Sequence, residues 1–373
     1  MLYWDNNATT AVAPEVLEAM LPYLREECFN PSAAYGPAKR VRRALQHARE
    51  QVAALIGALP QEIVFTSGGT EAANTALHCF TNTLTLATEH PATLRTAAGD
   101  ACPVLSNGLA DVPTWKELLP GHDGASFAWA NHETGVVQPV HTLAQTAREA
   151  GARVHVDLVQ AAGKVPVNVH EHAIDFASLS AHKIHGPKGA GALYLRNGAT
   201  LDKPLLTGGD QEGLHRAGTE NVPGIIGFGK AAELALAAAE TYAALAALRD
   251  RFAELLRRGG AEIVINGAAA PRLPHVLNLR VPGVSAESLL HLLEPAGLLC
   301  SGGSACTSSH PEPSHVLTAM GLSDTEARES LRFSISRHTT AREVEEAAAI
   351  FLQALRTLQG AQSDKTGPVM VYR

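Results

Sequence analysis

FASLSAHKIHGPKG, residues 176–189, joins a short apolar run to a polar loop. Phe176-Ala177-Ser178-Leu179 has the length and burial pattern of a strand rather than a helix. Gly186, Pro187 and Gly189 interrupt any regular element that follows. Lys183 therefore stands just beyond a strand end, close to Ser180 and His182. By itself it has two readings, an amine poised to form a Schiff base with a carbonyl group or a surface lysine in a Gly/Pro loop.

The neighbouring sequence repeats the strand-and-helix pattern. Glu62 to Thr66, Ser126 to Ala130 and Arg153 to Asp157 read as strands, with helices over Glu71 to Leu77 and Leu143 to Ala150. This alternation predicts an α/β fold with a mainly parallel sheet. In such sheets ligands collect outside the carboxyl ends of the strands. Asp157 ends one strand, where a carboxylate suits a protonated ring nitrogen. Ser67-Gly68-Gly69-Thr70 lies between a strand and a helix, as an anion cradle or as an ordinary tight turn. The absence of a Gly-Lys-Thr run and the wrong glycine spacing exclude a Walker loop and a dinucleotide fingerprint.

From Ala231 to Arg258 an Ala- and Leu-rich stretch predicts one long connecting helix. A smaller α+β unit follows, with strands near Glu262 to Ile265, Val276 to Val281 and Leu331 to Ile335, and helices over Ala286 to Leu293 and Glu343 to Leu358. Thr340 to Glu343 has the capping-box pattern. The expected division is an N-terminal segment 1–15 packing with the small domain, a large domain 16–258 that includes the connector, and a small domain 259–373.

Composition excludes several classes. The net charge of −7 disfavours nucleic acid, and Lys39 to Arg43 reads as a solvated basic helix face. No apolar run reaches the ~18 residues of a membrane span. The 17 histidines and 5 cysteines include no His-x-x-x-His or Cys-x-x-Cys spacing, so no metal site is expected. The odd, low cysteine count and the opening MLYWDNNATT, with no basic and apolar leader, give a cytoplasmic expectation. SGGSACTSSH, residues 301–310, sets Cys306 among small and hydroxylic residues, while Cys300 ends an apolar run and reads as buried.

YWDNNATT, FTSGGTE, TEHPA, ETGVVQPV, HVDLVQAAGK, SLSAHKIHGPKGAGALY, RAGTEN, SGGSACTSS with SHVL, and LRFSISRHTT occur in this order from about Leu2 to Leu358. In these motifs the chain resembles the cysteine desulfurases of the class V aminotransferase group. The resemblance implies a fold-type I pyridoxal 5'-phosphate enzyme with a seven-stranded-type large-domain sheet. It implies that Lys183 binds the cofactor as a Schiff base, Asp157 protonates its ring nitrogen, Gln160 meets the ring hydroxyl and His90 covers the ring. Gly69, Thr70, Ser180 and His182 would bind the phosphate, and Thr219 would reach the phosphate of a neighbouring subunit in a homodimer. Arg332, and Asn131 beside it, would take the substrate carboxylate. Cys306 would attack the sulfur of L-cysteine, carry it as a persulfide, and pass it to an acceptor such as an iron–sulfur scaffold protein.

The chain also departs from the family pattern. His132 stands where a second asparagine is usual and is expected to tune the cofactor. Ala72 and Ala73 replace polar residues, Tyr35 replaces a histidine, and Ser336 replaces a glycine at the expected substrate end. The segment between His90 and Ser126 is short. These changes leave two alternatives, a selenocysteine lyase and a non-catalytic cofactor-binding partner of a sulfur-transfer assembly.

Overall fold

Phe176–Ser180 is a strand buried at all 5 positions, because helices cover both faces of the sheet that contains it. The computed structural model describes residues 1–302 and 312–364. In chain order, its first part contains β1 (Leu2–Tyr3), α1 (Pro14–Arg25), α2 (Gly36–Leu55), β2 (Ile63–Thr66), α3 (Gly69–Leu77), β3 (Thr83–Leu86) and α4 (Pro91–Leu94). Next come β4 (Ala101–Cys102), α5 (Val112–Leu118), β5 (Gly124–Ala128), α6 (Val140–Glu149), β6 (Arg153–Asp157), β7 (Phe176–Ser180) and β8 (Gly191–Leu195).

Seven of these strands form one sheet in the order β2-β8-β7-β6-β5-β3-β4. Strands β3 to β7 pair in parallel, whereas β8 runs antiparallel to both its neighbours. The register sets Ala128 beside Asp157 and Asp157 beside Ser178, so the carboxyl ends of β5, β6 and β7 open onto one edge. Below that edge, Phe127, Trp115, Val156 and Phe228 are fully buried. Each such side chain contributes on the order of 1.5–3 kcal/mol through lost apolar surface.

The chain continues through α7 (Val222–Ala237), α8 (Ala239–Arg258), β9 (Val264–Ile265), β10 (Val276–Arg280), α9 (Ala286–Leu293), β11 (Leu298–Leu299) and β12 (Ser301–Gly302). It closes with α10 (His315–Ala319), α11 (Asp324–Arg328), β13 (Ser330–Ser334) and α12 (Ala341–Asp364). The single connector expected over 231–258 is thus two helices, α7 and α8, bent by 66°. The bend lets α7 bury Ile225 and Phe228 against the large core while α8 buries Tyr242, Phe252 and Leu256 in a second core. No single helix among the described residues is long and apolar enough to cross a membrane.

The second core lies against the antiparallel sheet β12-β13-β10-β9. The chain's N-terminus joins it, since β1 pairs with β11 and Trp4 meets Phe252 edge-on at 4.9 Å. This arrangement delivers Asp5 to Thr10 into the cleft between the two sheets. The predicted capping box is present, with Thr340 N–H donating to Glu343 Oε2 at 2.7 Å and Glu343 N–H to Thr340 Oγ1 at 3.3 Å. Ser336 Oγ accepts from His338 N–H at 3.0 Å, so this hydroxyl stabilises the turn after β13.

Candidate active site

The strand ends place the site. Gly69 follows β2, His90 follows β3, Asn131 and His132 follow β5, Asp157 ends β6, and Ser180 to Lys183 follow β7. Arg332 arrives from β13 of the other sheet.

The N-terminal Asn-Asn-Ala-Thr-Thr motif secures the lysine turn. Thr10 N–H and Oγ1–H donate to the His182 carbonyl at 3.0 and 2.9 Å, and His185 N–H donates to Thr10 Oγ1 at 2.8 Å. His185 is thereby held at a φ of 66°, a left-handed conformation that costs most residues energy. Lys183 Nζ donates to the Asn7 carbonyl and, at 2.8 Å, to that of Ala8. Burial, then the positive charge of Arg332, push its amine down to about 8. Asp157 accepts from Val159 N–H at 2.8 Å, and burial raises its carboxyl above the ordinary aspartate range.

Asn7 connects several of these groups. Its side-chain amide donates to the His132 carbonyl at 3.1 Å, and its Oδ1 pairs with His275 Nε2 at 2.9 Å. Its main-chain carbonyl also accepts from Gln160 Nε2 at 3.1 Å. Asn7 N–H reaches Ser334 Oγ at 2.9 Å, which ties the cluster to β13.

Three imidazoles gather beside the lysine. His90 and His132 meet with ring centroids 5.3 Å apart, and His132 and His315 at 6.4 Å. His90 Nδ1 accepts the Ala92 N–H at 3.1 Å at the start of α4, which places its proton on Nε2 in the neutral ring. Burial, followed by the charges of its neighbours, lowers His132 well below the usual histidine value. A neutral, rather than cationic, imidazole therefore occupies the position where an asparagine was expected.

Asn131 is mostly committed to its own loop. Its Oδ1 accepts from Glu133 N–H, Thr134 N–H and Thr134 Oγ1–H at 2.9, 2.9 and 3.1 Å, and its Nδ2 donates to the Thr88 carbonyl at 3.0 Å. One amide hydrogen is left for a ligand. Burial pushes the Glu133 carboxyl up to about 7, and it accepts from Ser314 Oγ at 2.5 Å.

Arg332 is 7% exposed. Its Nη2 donates to Asp5 at 2.7 Å and its Nη1 to the His132 carbonyl at 3.1 Å, while the buried Nε has no partner among the described residues. At the opposite side of the site, the turn after β2 packs closely. A Cβ on Gly69 would lie 2.7 Å from Val159 Cγ2, and one on Gly191 would lie 2.5 Å from Gly68 Cα. Ser180 is buried beside this turn. His182 Nδ1 lies 3.1 Å from Thr9 Oγ1, and burial together with nearby lysines pushes its ring down to about 4. Thr70 is exposed, and Ala72 and Ala73 are buried in packing. Thr219 is exposed in the loop before α7. Cys306 lies outside the described residues.

The motifs marked Lys183, Asp157, Gln160 and Arg332, but not Asn7, Asp5, His315 or Lys164. Asn7 had a signal in the polar run after Leu2-Tyr3-Trp4. Its partners lie up to 327 positions away in the chain, beyond the reach of any local pattern.

The family model described as Aminotransferase class-V matches residues 2–346. A cysteine desulfurase of Trichormus azollae is 42% identical over 387 residues, covering 98% of this chain and 96% of the relative. The X-ray structure of a NifS-like protein from Rickettsia africae superposes with a TM-score of 0.87 at 30% identity, covering 95% of this chain and 99% of that one. A structure of SspA in complex with cysteine gives a TM-score of 0.79 at 31% identity, covering 91% of this chain and 100% of that one. The chain belongs to the class-V aminotransferase family and, within it, to the cysteine desulfurases. The enzymes of this family use pyridoxal phosphate.

Proposed function

We infer that this protein is a pyridoxal-phosphate-dependent cysteine desulfurase that removes sulfur from L-cysteine, leaves L-alanine, and passes the sulfur on from Cys306. The observation that carries this reading is Lys183, a half-buried amine pushed down to about 8 at the strand edge it shares with Asp157. Three features of the chain fit the cofactor. The half-buried Asp157 carboxyl, raised by desolvation, would gain a counter-charge from a protonated ring nitrogen. The turn at Gly69 and Gly191 has no room for side chains and lets backbone N–H groups approach a phosphate. The Arg332 guanidinium offers an unpartnered buried N–H to a carboxylate.

When bound, the cofactor supplies an electron-withdrawing ring that stabilises charge at the substrate α-carbon. Gly69, Thr70, Ser180 and His182 would hold its phosphate, and Thr219 of a second copy would complete that site in a homodimer. Gln160 and His132 would address the ring hydroxyl, and His90 would cover the ring. Arg332 and the free amide hydrogen of Asn131 orient the substrate carboxylate. With its amine pushed down to about 8, Lys183 is neutral far more readily than an exposed lysine and in that form would accept the α-proton.

The Cys306 thiolate then attacks the substrate sulfur. A sulfur–sulfur bond forms as the carbon–sulfur bond breaks and the electron pair stays on the β-carbon, where one proton makes the methyl group; a second proton, returned by the Lys183 amine to the α-carbon, completes alanine. His90, whose proton lies on Nε2 in the neutral ring, would relay such a proton. The persulfide passes to an acceptor protein, for which an iron–sulfur scaffold fits the chemistry. The cysteine complex of the structural relative supports the substrate class.

The purified protein supplied with pyridoxal phosphate is expected to show visible absorption from the lysine-bound cofactor, and to release sulfide and alanine from L-cysteine with a reductant present. Absence of both overturns the reading, and turnover of selenocysteine alone reassigns the substrate. Arg332→Lys is expected to raise KM for L-cysteine about tenfold or more, with a smaller change in kcat. Losing a forked, charge-assisted pair costs on the order of 1.5–3 kcal/mol. Steady-state kinetics of alanine formation measure this, and an unchanged KM would place the carboxylate elsewhere.

A further inference from the structure

Lys164 is 4% exposed, and lysines are almost never buried to this degree without a carboxylate partner. No ion pair to Lys164 is present among the described residues. Its Nζ donates to Gln160 Oε1 at 2.9 Å. The charges around it are positive, Lys183 and Arg332, and with burial they hold its amine well below the ordinary lysine value. Burial thus disfavours its charged form, and what it presents inside the protein is a hydrogen-bond donor fixed on Gln160.

Gln160 is gripped from both ends. Lys164 holds its Oε1, and the Asn7 carbonyl holds its Nε2 at 3.1 Å. The same Asn7 carbonyl accepts from Lys183 Nζ. A carboxamide fixed at both ends has a single free N–H, and that hydrogen has one direction. We propose that Lys164 is a positioning residue that orients the Gln160 amide toward the cofactor ring through the chain Lys164–Gln160–Asn7, which ends on the Schiff-base lysine. This rests on the cofactor reading above.

Without the Lys164 amine, Gln160 Oε1 is left buried and unsatisfied, a state that costs enough for the amide to rotate or slacken. The free N–H then loses its direction while the rest of the site stays in place. The two residues therefore act as one unit, and removing both is no worse than removing either.

The test is a double-mutant cycle on the affinity of the apoprotein for pyridoxal phosphate, followed by fluorescence. Lys164→Met and Gln160→Leu are each expected to weaken binding about fivefold to tenfold, and the double variant to match the weaker single variant. In the holoprotein both single variants are expected to shift the pH midpoint of the visible band in the same direction. Lys164→Leu takes the place of Lys164→Met in the cycle if the latter does not fold. The proposal is overturned if Lys164→Met binds as tightly as the parent, or if the two losses multiply. Failure of the parent itself to bind pyridoxal phosphate would overturn the functional reading instead.

Discussion

Lys183→Ala is expected to lower alanine formation from L-cysteine by about 10,000-fold, the upper range for losing a positioned general base, and to abolish the visible band of the bound cofactor. The turn that carries Lys183 is anchored through main-chain atoms of His182 and His185 to Thr10, so the fold does not depend on the lysine side chain. Partial recovery of the rate with a small added amine would show that the amine itself was lost. A variant within tenfold of the parent would remove Lys183 from the mechanism.

The same amine gives the pH dependence its sign. Its folded-state pKa, about 8, lies below the value near ~10.4 of an exposed lysine. Well below about 8 the amine is protonated in both folded and unfolded chains and cannot accept a proton. As the pH rises from about 8 toward that of free lysine, the folded protein binds fewer protons than the unfolded one. Lys183 thus contributes stability that increases with pH in this window and is lost as the pH falls. In the apoprotein, reductive methylation mapped by mass spectrometry is expected to show Lys183 reacting with a midpoint near 8, below the ordinary value of an exposed lysine.

Cys306→Ala is expected to reduce sulfide and alanine formation by about 1,000-fold or more, the scale on which removing a nucleophile costs rate, while the visible band and its response to added L-cysteine persist. The segment that carries Cys306 is attached to the site at both ends. Before it, Ser301 in β12 pairs with Arg332. After it, Ser314 donates to Glu133 at 2.5 Å, and His315 Nε2 pairs with the Glu89 carbonyl at 2.8 Å. Other thiols are poor substitutes, since burial raises Cys102 to about 12 and pushes Cys300 up as well. Cys28 is free and exposed, and Cys28→Ala is expected to keep the parent's rate. Full activity in Cys306→Ala, assayed as sulfide and alanine, would rule out the persulfide step on this residue.

Much of the fold was legible because its signals are local. The strands at Arg153–Asp157 and Phe176–Ser180 and the helix Ala286–Leu293 occupy the positions their apolar patterns imply. The break between α7 and α8 was not legible. Ala238 has no helix-breaking chemistry, and the bend reflects two hydrophobic cores that lie on different sides of the chain.

The site divides in the same way. Lys183, Asp157 and Gly69 could be found because strand ends and tight turns leave marks within a few residues. Asn131 could not be interpreted in the same manner, since its type suits a substrate contact while three of its hydrogen bonds close on Glu133 and Thr134. His132 was visible as a departure from the family pattern, and only its surroundings show that it is held neutral.

The sequence alone determined the α/β class and singled out the candidate Schiff-base lysine, partner aspartate and thiol, because short-range periodicity and ordered motifs are properties of the chain itself. The tertiary structure decided how these groups are tuned. It brought Asn7 to Lys183 and Gln160, Asp5 to Arg332, and Lys164 into a buried place against Gln160. Burial, dielectric environment and hydrogen bonds between residues distant in the chain arise only when two sheets and the N-terminal segment close around the same cleft.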